Sequence, residues 1–250
     1  MGDHFYLTLP SDVASSQYVV KLPEPIRLSD DYELGVSEIV YPHTWYNVNN
    51  DDELYWIAAY NVFTNKFLVP KMYVKSGFYK DGETFASSLT HQATRALADV
   101  PVVDVKFTFV KHLDRIRMQM RNSIDTTVIM SADLLEFMGF ARMMIARKEV
   151  DRVGQRPFDV NRGLNLMYVY CDVASHAVVG DTKAPLLRVI NPIGKHGEVV
   201  RITYDRPHYV PVGRLEFDSV AISINNELGE PLAVRSGQFV TTLHFRRRRR

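Results

Sequence analysis

Apolar and polar residues alternate with a period of two along most of this chain, which commits it to strands that each set one face on a core. Near the start, Phe5, Leu7 and Leu9 alternate with His4, Tyr6 and Thr8 before Pro10 and Ser11 end the run. Residues 18–28 are extended but hold Pro23 and Pro25. Proline donates nothing to a ladder, so this segment is expected at an edge or a bulge. Residues 32–41 form a further run closed by Pro42, and residues 54–63 and 66–74 read as a hairpin around Thr64 and Asn65. The style returns at 164–173, 186–190, 199–204, 215–224 and 238–245. Val220, Ile222 and Ile224 alternate there with Ser219, Ala221 and Ser223, and Phe239, Leu243 and Phe245 share one face. No segment recurs at a fixed spacing, which argues against a solenoid or propeller.

Between these halves the period changes. Phe85, Leu89, Ala93 and Leu97 recur every four residues, the stripe of an amphipathic helix over about 81–97. Two strands follow, carrying Val105, Phe107 and Phe109, then Ile116, Met118 and Met120. A short helix is expected from Ser131, whose hydroxyl caps the first turn, to Gly139, a residue suited to a left-handed C-cap. Residues 76–150 thus read as a small α+β module inserted into a discontinuous β domain of residues 1–75 and 151–250, with 151–163 as the connection back. The fold class expected is mainly β, a β-sandwich carrying that insert.

At 250 residues and 46% hydrophobic, the chain can bury a substantial core. One cysteine, Cys171, excludes an internal disulfide framework and a four-cysteine zinc site, in keeping with a reducing compartment. No window approaches the roughly 18 apolar residues of a membrane span, and the start lacks a basic region followed by an apolar stretch. The expectation is a soluble chain with no membrane partner. Net charge is +1, yet Arg246, Arg247, Arg248, Arg249 and Arg250 form an unbroken run, and the remaining 25 basic residues face 29 acidic ones. A mildly acidic body therefore carries a basic tail, with two readings: an arm that contacts nucleic acid or an acidic partner by displacing counterions, or a solvated end.

The search for chemistry returns few candidates. His4, His43, His91, His112, His176, His196, His208 and His244 occur singly, without the His-x-His or His-x-x-x-His spacing that shares a metal. There is no nucleophile elbow and no phosphate loop; Gly194-Lys195-His196-Gly197 lies between strand-like runs and reads as a turn. Asp30-Asp31 and Asp51-Asp52-Glu53 sit in polar turns, where Asp serves the backbone. Arg115, Arg117 and Arg121 make a basic stripe on one strand face, read as solvated. The aromatic run 41–48 is read as a buried strand end or a subunit contact through Tyr41, His43, Trp45 and Tyr46, in preference to a sugar-stacking platform that would use Trp45 and Trp56. No catalytic residue, metal or cofactor is indicated, and the chain is expected not to be an enzyme.

Five blocks in order carry a resemblance: FYLTLPS (5–11); YVVKLPEPIRLSDDYELGVSEIVYPHTWYNV (18–48); SADLLEFMGF (131–140); LNLMYVYCDV with VVGDTKAPLLRVI (164–190); and SGQFVTTLHFRRR (236–248). Together they resemble the minor capsid, or penton, proteins of Polinton/Maverick elements and adintoviruses, over nearly the whole chain. The resemblance implies a jelly-roll β-sandwich, five copies at each icosahedral vertex, double jelly-roll major capsid proteins as neighbours, and a place in the virion after assembly in the nucleus or cytoplasm of a host cell. It implies no catalytic residues. In such a shell the arginine tail is expected to face inward, toward packaged DNA.

Overall fold

The computed structural model describes residues 4–29, 31–49, 54–61, 66–67, 71–98, 103–122, 126–141, 145–147, 150–161 and 164–248. In chain order these form β1 (His4–Pro10), β2 (Gln17–Arg27), β3 (Tyr32–Pro42), β4 (Tyr55–Asn61), β5 (Lys66–Phe67), β6 (Met72–Tyr73), α1 (Gly82–Ala96), β7 (Val103–Val110), β8 (Arg115–Asn122), β9 (Thr126–Met130), α2 (Ala132–Phe137), β10 (Ile145–Arg147), β11 (Val150–Val153), β12 (Met167–Cys171), β13 (Ala177–Val179), β14 (Thr182–Ala184), β15 (Leu186–Ile190), β16 (Val199–Thr203), β17 (Val210–Pro211), β18 (Glu216–Asn225) and β19 (Val240–Arg247). Among the described residues no helix is long and apolar enough to cross a membrane.

The chain divides into two compact units, residues 1–45 with 163–250, and residues 46–162. The insert is thus longer at both ends than the expected 76–150. The physical reason lies in strand pairing. Residues 54–74, expected in the outer domain, form β4, β5 and β6, and β4 pairs with β9 of the insert, Ile57 opposite Ile129. At the other end β11 pairs with β8, Asp151 opposite Gln119. The hairpin over 54–74 is present as β4 against β5, Tyr60 opposite Phe67; its expected turn at Thr64 and Asn65 lies outside the described residues.

The first unit is a jelly-roll sandwich of two antiparallel sheets. One runs β1-β19-β3-β16, with β17 also on β3; the other runs β15-β12-β18-β2. Alternation places Leu9, Leu34, Val36, Leu243 and Phe245 of the first sheet and Met167, Val169, Val220, Ile222 and Ile224 of the second in one buried cluster. Burying a side chain of this size is worth about 1.5–3 kcal/mol, which makes the repeated inward residue the main source of stability here. A buried hydrogen bond of 2.8 Å between Tyr18 Oη and Thr241 Oγ1 joins the two sheets, and burial pushes the Tyr18 phenol up to about 12. β2 lies at a sheet edge, as the prolines require: opposite β18 its register jumps from Ile26 to Lys21, and Pro23 and Pro25 fall in the bulge.

The second unit is built from local pieces. Asp81 caps α1 by accepting hydrogen bonds from Thr84 N (2.8 Å) and Thr84 Oγ1 (2.7 Å), a contribution of about 1 kcal/mol to the helix. The stripe Phe85, Leu89, Ala93 and Leu97 is buried against the β11-β8-β7 sheet. Ser131 caps α2 by accepting from Leu134 N. Gly139 follows with φ +80, and a side chain there would meet the Arg156 carbonyl oxygen, so glycine is required twice over. Rings of Phe85, Phe137 and Phe158 lie with centroids 4.9–5.2 Å apart at the centre of this core.

Candidate functional site

The aromatic run begins at the last residues of β3, and its rings are largely spent within the chain itself. Tyr41 is fully buried, and its hydroxyl donates to Ile193 O (3.0 Å) and accepts from Ile193 N (2.8 Å). Trp45 is 8% exposed, and its backbone bridges to Val234. Tyr41 and Trp45 are therefore core residues of the first unit, a correction to their reading as subunit contacts: Tyr41 faces inward on β3, and Trp45, just past that strand, packs against the rings of Tyr41 and His43. The same burial removes Trp45 as a sugar platform, while the side chain of Trp56 lies outside the described residues. His43 is half-buried and stacks on Trp45 at 4.1 Å, with His196 edge-on at 6.2 Å. Burial, then the neighbouring His196, holds His43 below the ordinary histidine range. Tyr46, also half-buried, opens the second unit.

The arginine run is not a free tail from its first residue. Arg246 and Arg247 belong to β19. Arg246 Nε lies 2.7 Å from Glu33 Oε1, and its guanidinium sits 3.5 Å over the Tyr209 ring. Arg247 pairs with Asp31 at 3.6 Å, and the Arg248 backbone N donates to Asp31 O at 2.7 Å. The ladder with β3 continues to Arg247 opposite Tyr32, so the strand extends past the apolar alternation that marked its expected end. Of the proposed nucleic-acid contacts, Arg246 is committed to Glu33 and Tyr209, Arg248 presents an exposed side chain, and Arg249 and Arg250 lie outside the described residues. In the other basic stripe Arg117 holds Asp151 through Nε (2.7 Å) and its terminal nitrogen (2.5 Å).

Those contacts belong to an array on the outer face of the β1-β19-β3 sheet that sequence reasoning did not assemble. His4, Tyr6 and Thr8 of β1 point outward beside Arg246, His244 and Thr242 of β19, their register partners. Tyr6 stacks on His244 with centroids 4.3 Å apart and planes 10° from parallel, and His4 meets His244 edge-on at 5.5 Å. A 2.8 Å hydrogen bond joins His244 Nδ1 to Tyr209 Oη. Burial first, then His4 and Arg246, lowers the His244 pKa; burial raises that of Tyr209. Alongside lies a groove of about 420 Å³ lined by Tyr6, Glu38, Tyr204, Asp205, Tyr209 and His244, with Ser37, Thr203, Pro207 and Thr242 completing it. The available signal was the aromatic character of the polar side of both terminal strands.

Elsewhere the chemistry is sparse. Among the described residues no three His, Cys, Asp or Glu side chains are grouped to hold a metal ion. The Cys171 thiol is buried and pushed up to about 12 by that burial, which removes thiolate reactivity near neutral pH. Gly194 and Gly197 have positive φ, and Lys195 N donates to Glu198 Oε2, so that segment is the turn expected of it. Asp31 is held by Arg247, whereas Asp30 and residues 51–53 lie outside the described residues.

Two sheets closed over one core, interrupted by an α+β insert, define this chain as a jelly-roll protein. Among solved structures it is similar to the crystal structure of the selenomethionine-labelled mavirus penton protein, with a TM-score of 0.54 at 9% sequence identity, covering 98% of this chain and 100% of that one. The likeness is one of fold. No protein-family model matches the sequence, and no curated protein matches it.

Proposed function

We propose that this chain is a penton, a non-enzymatic minor capsid subunit that forms the fivefold vertices of an icosahedral DNA-virus shell of the Polinton/adintovirus kind. The observation that carries this reading is a likeness to the mavirus penton protein that takes in the insert as well as the sandwich, since it covers nearly all of both chains. The five sequence blocks support it independently. In this reading the chain is a virion component, assembles as a homopentamer, and abuts double jelly-roll major capsid proteins. A ring of five needs a patch and a complementary patch on each copy that close on themselves, and the surfaces left for this are sheet edges, loops and the half-buried His43 and Tyr46 rather than Tyr41 and Trp45.

Native mass spectrometry and negative-stain microscopy of the purified chain, alone and mixed with the major capsid protein, test the reading. A five-membered ring is expected in at least one of these conditions. Monomer throughout removes the proposal. Contact with packaged DNA, if the arginines make it, falls to Arg248 and the residues after it. Replacing Arg248, Arg249 and Arg250 with serine is then expected to reduce DNA retention at low salt and to flatten its salt dependence, whereas unchanged retention across salt removes the DNA contact and leaves the vertex reading standing.

A further inference from the structure

We propose that residues 4–8, the first half of β1, form an acid-released arm that leaves β19 when His244 takes up a proton and that pivots at residues 9–11. This goes beyond the vertex reading and does not rest on it. Among the described residues β1 is the edge of its sheet and pairs with β19 alone. Within residues 4–8 no side chain is fully buried: Phe5 and Leu7 are half-buried, and His4, Tyr6 and Thr8 are exposed. The other end of the strand is pinned. Leu9 is 1% exposed, Ser11 N donates to Phe239 O at 2.8 Å, and Phe239 N donates to Ser11 Oγ at 3.0 Å. An edge strand anchored so unevenly opens from its loose end, where few buried contacts are lost.

On the outer face the loose end is held by one ring. Tyr6 lies against His244 with centroids 4.3 Å apart, and His4 meets it edge-on at 5.5 Å. His244 Nδ1 is hydrogen-bonded to Tyr209 Oη at 2.8 Å, while Nε2 is buried with no hydrogen-bond partner among the described residues. A neutral imidazole fits these surroundings, because Nδ1–H can donate to Tyr209 and leave only a lone pair at Nε2. An imidazolium donates from both nitrogens, and its buried Nε2–H would lose water and gain no acceptor. Neighbouring charge works in the same direction. Around the ring stand His4 and Tyr6 of β1, Arg246 of its own strand, Glu33 and Glu38 of β3, and Tyr204, Asp205 and Tyr209 of the segment before β17. Glu33 is taken by Arg246 at 2.7 Å, and Glu38 faces Arg201 at 3.8 Å. After burial, the charges that act on His244 are those of His4 and Arg246, and both oppose its proton. Swinging residues 4–8 away removes Tyr6 and His4 together and opens the ring to water. The open arm therefore binds a proton that the closed arm refuses, so release is favoured progressively as pH falls below about 6.5.

Amide exchange followed by NMR on the full chain at about pH 7.5 and about pH 5, expressed as protection relative to the unstructured rate at each pH, tests this across the ordinary histidine range. Protection within residues 4–8 is expected to fall about tenfold or more on acidification, the equivalent of one unit of histidine pKa, while the β3–β16 and β12–β18 ladders lose less. His244→Phe, which keeps a ring against Tyr6 and takes no proton, should remove most of that fall. His244→Gln repeats the test without the ring, and His43→Gln, which alters the other lowered histidine of the unit, should leave the fall in place. A fall no greater in residues 4–8 than in β3 and β18 overturns the proposal. So does a fall of full size in both His244 variants, or one abolished by His43→Gln instead.

Discussion

The two units solve the same problem at opposite sequence ranges. In the second, α1 packs on β7, β7 pairs with β8, and α2 follows β9 after a single residue, so most partners are near neighbours in the chain. In the first, β1 pairs with β19, His4 opposite Arg246, and β3 pairs with β16, β17 and β19. Distant pairings require loop closure before any contact rewards it. The second unit can therefore be specified by caps and stripes, whereas the first depends on its two ends finding each other.

The largest effect should come from breaking that closure. Phe245 is fully buried on β19, stacked on Phe5 at 4.8 Å and near Phe217 at 6.1 Å. Phe245→Ala is expected to cost about 3–5 kcal/mol and to raise hydrogen exchange across β1, β3 and β19 while α1 and β7 keep their protection. Equal loss in both units would show that the second unit depends on the β1–β19 closure as much as the first. A smaller effect, confined to the second unit, is expected at Asn47. Its side chain donates to Tyr79 O (2.8 Å) and Val160 O (2.7 Å) and accepts from Tyr79 N (2.9 Å). Asn47→Ala strands these groups and should cost about 2–3 kcal/mol, read as exchange in 71–98 with the first unit unaltered.

The mildest test is pH. In the first unit His43 and His244 are held below the ordinary histidine value near 6.5, chiefly by burial, so the unfolded form binds protons the folded form refuses. Their contribution is complete above about pH 6.5 and declines as pH falls through the folded values. In the second unit Asp81 and Asp151 are lowered by Thr84 and Arg117 respectively, and what they contribute is lost only below about pH 4. Thermal melts followed by exchange between pH 7.5 and 3.5 should show the first unit weakening before the second, and the reverse order would refute the assignment.

Legibility followed the same division. Asp81, Phe85, Ser131 and Gly139 announce their helix ends because capping and left-handed turns are local events, and the structure places these ends within a residue or two of the reading. Strand faces were equally readable, Leu243 and Phe245 inward among them. Partners were not. Nothing local to residues 54–61 says that β4 joins β9 rather than the sandwich, so alternation alone sets the bounds of the insert too narrow. Arg246 looked like the start of a tail because its anchor, Glu33, is more than two hundred residues away. The alternation of β3 accounts for the burial of Tyr41, but Trp45 lies past that strand and is buried by packing on Tyr41 and His43, which no local pattern announces. The Tyr6 array needed the β1–β19 register, which alternation alone does not supply.

The β1–β19 pairing also sets an order in time. A ribosome adding roughly 5–20 residues per second completes residues 46–162 well before it reaches β19. From the emergence of residue 10 until residue 240 is made, roughly 10–50 s at that rate, β1 has no partner, and its half-apolar ribbon stands open to any other nascent chain. Copies made side by side on one messenger pass through that window together, so whatever protects β1 during synthesis, a chaperone or simply distance, governs the yield of folded chains.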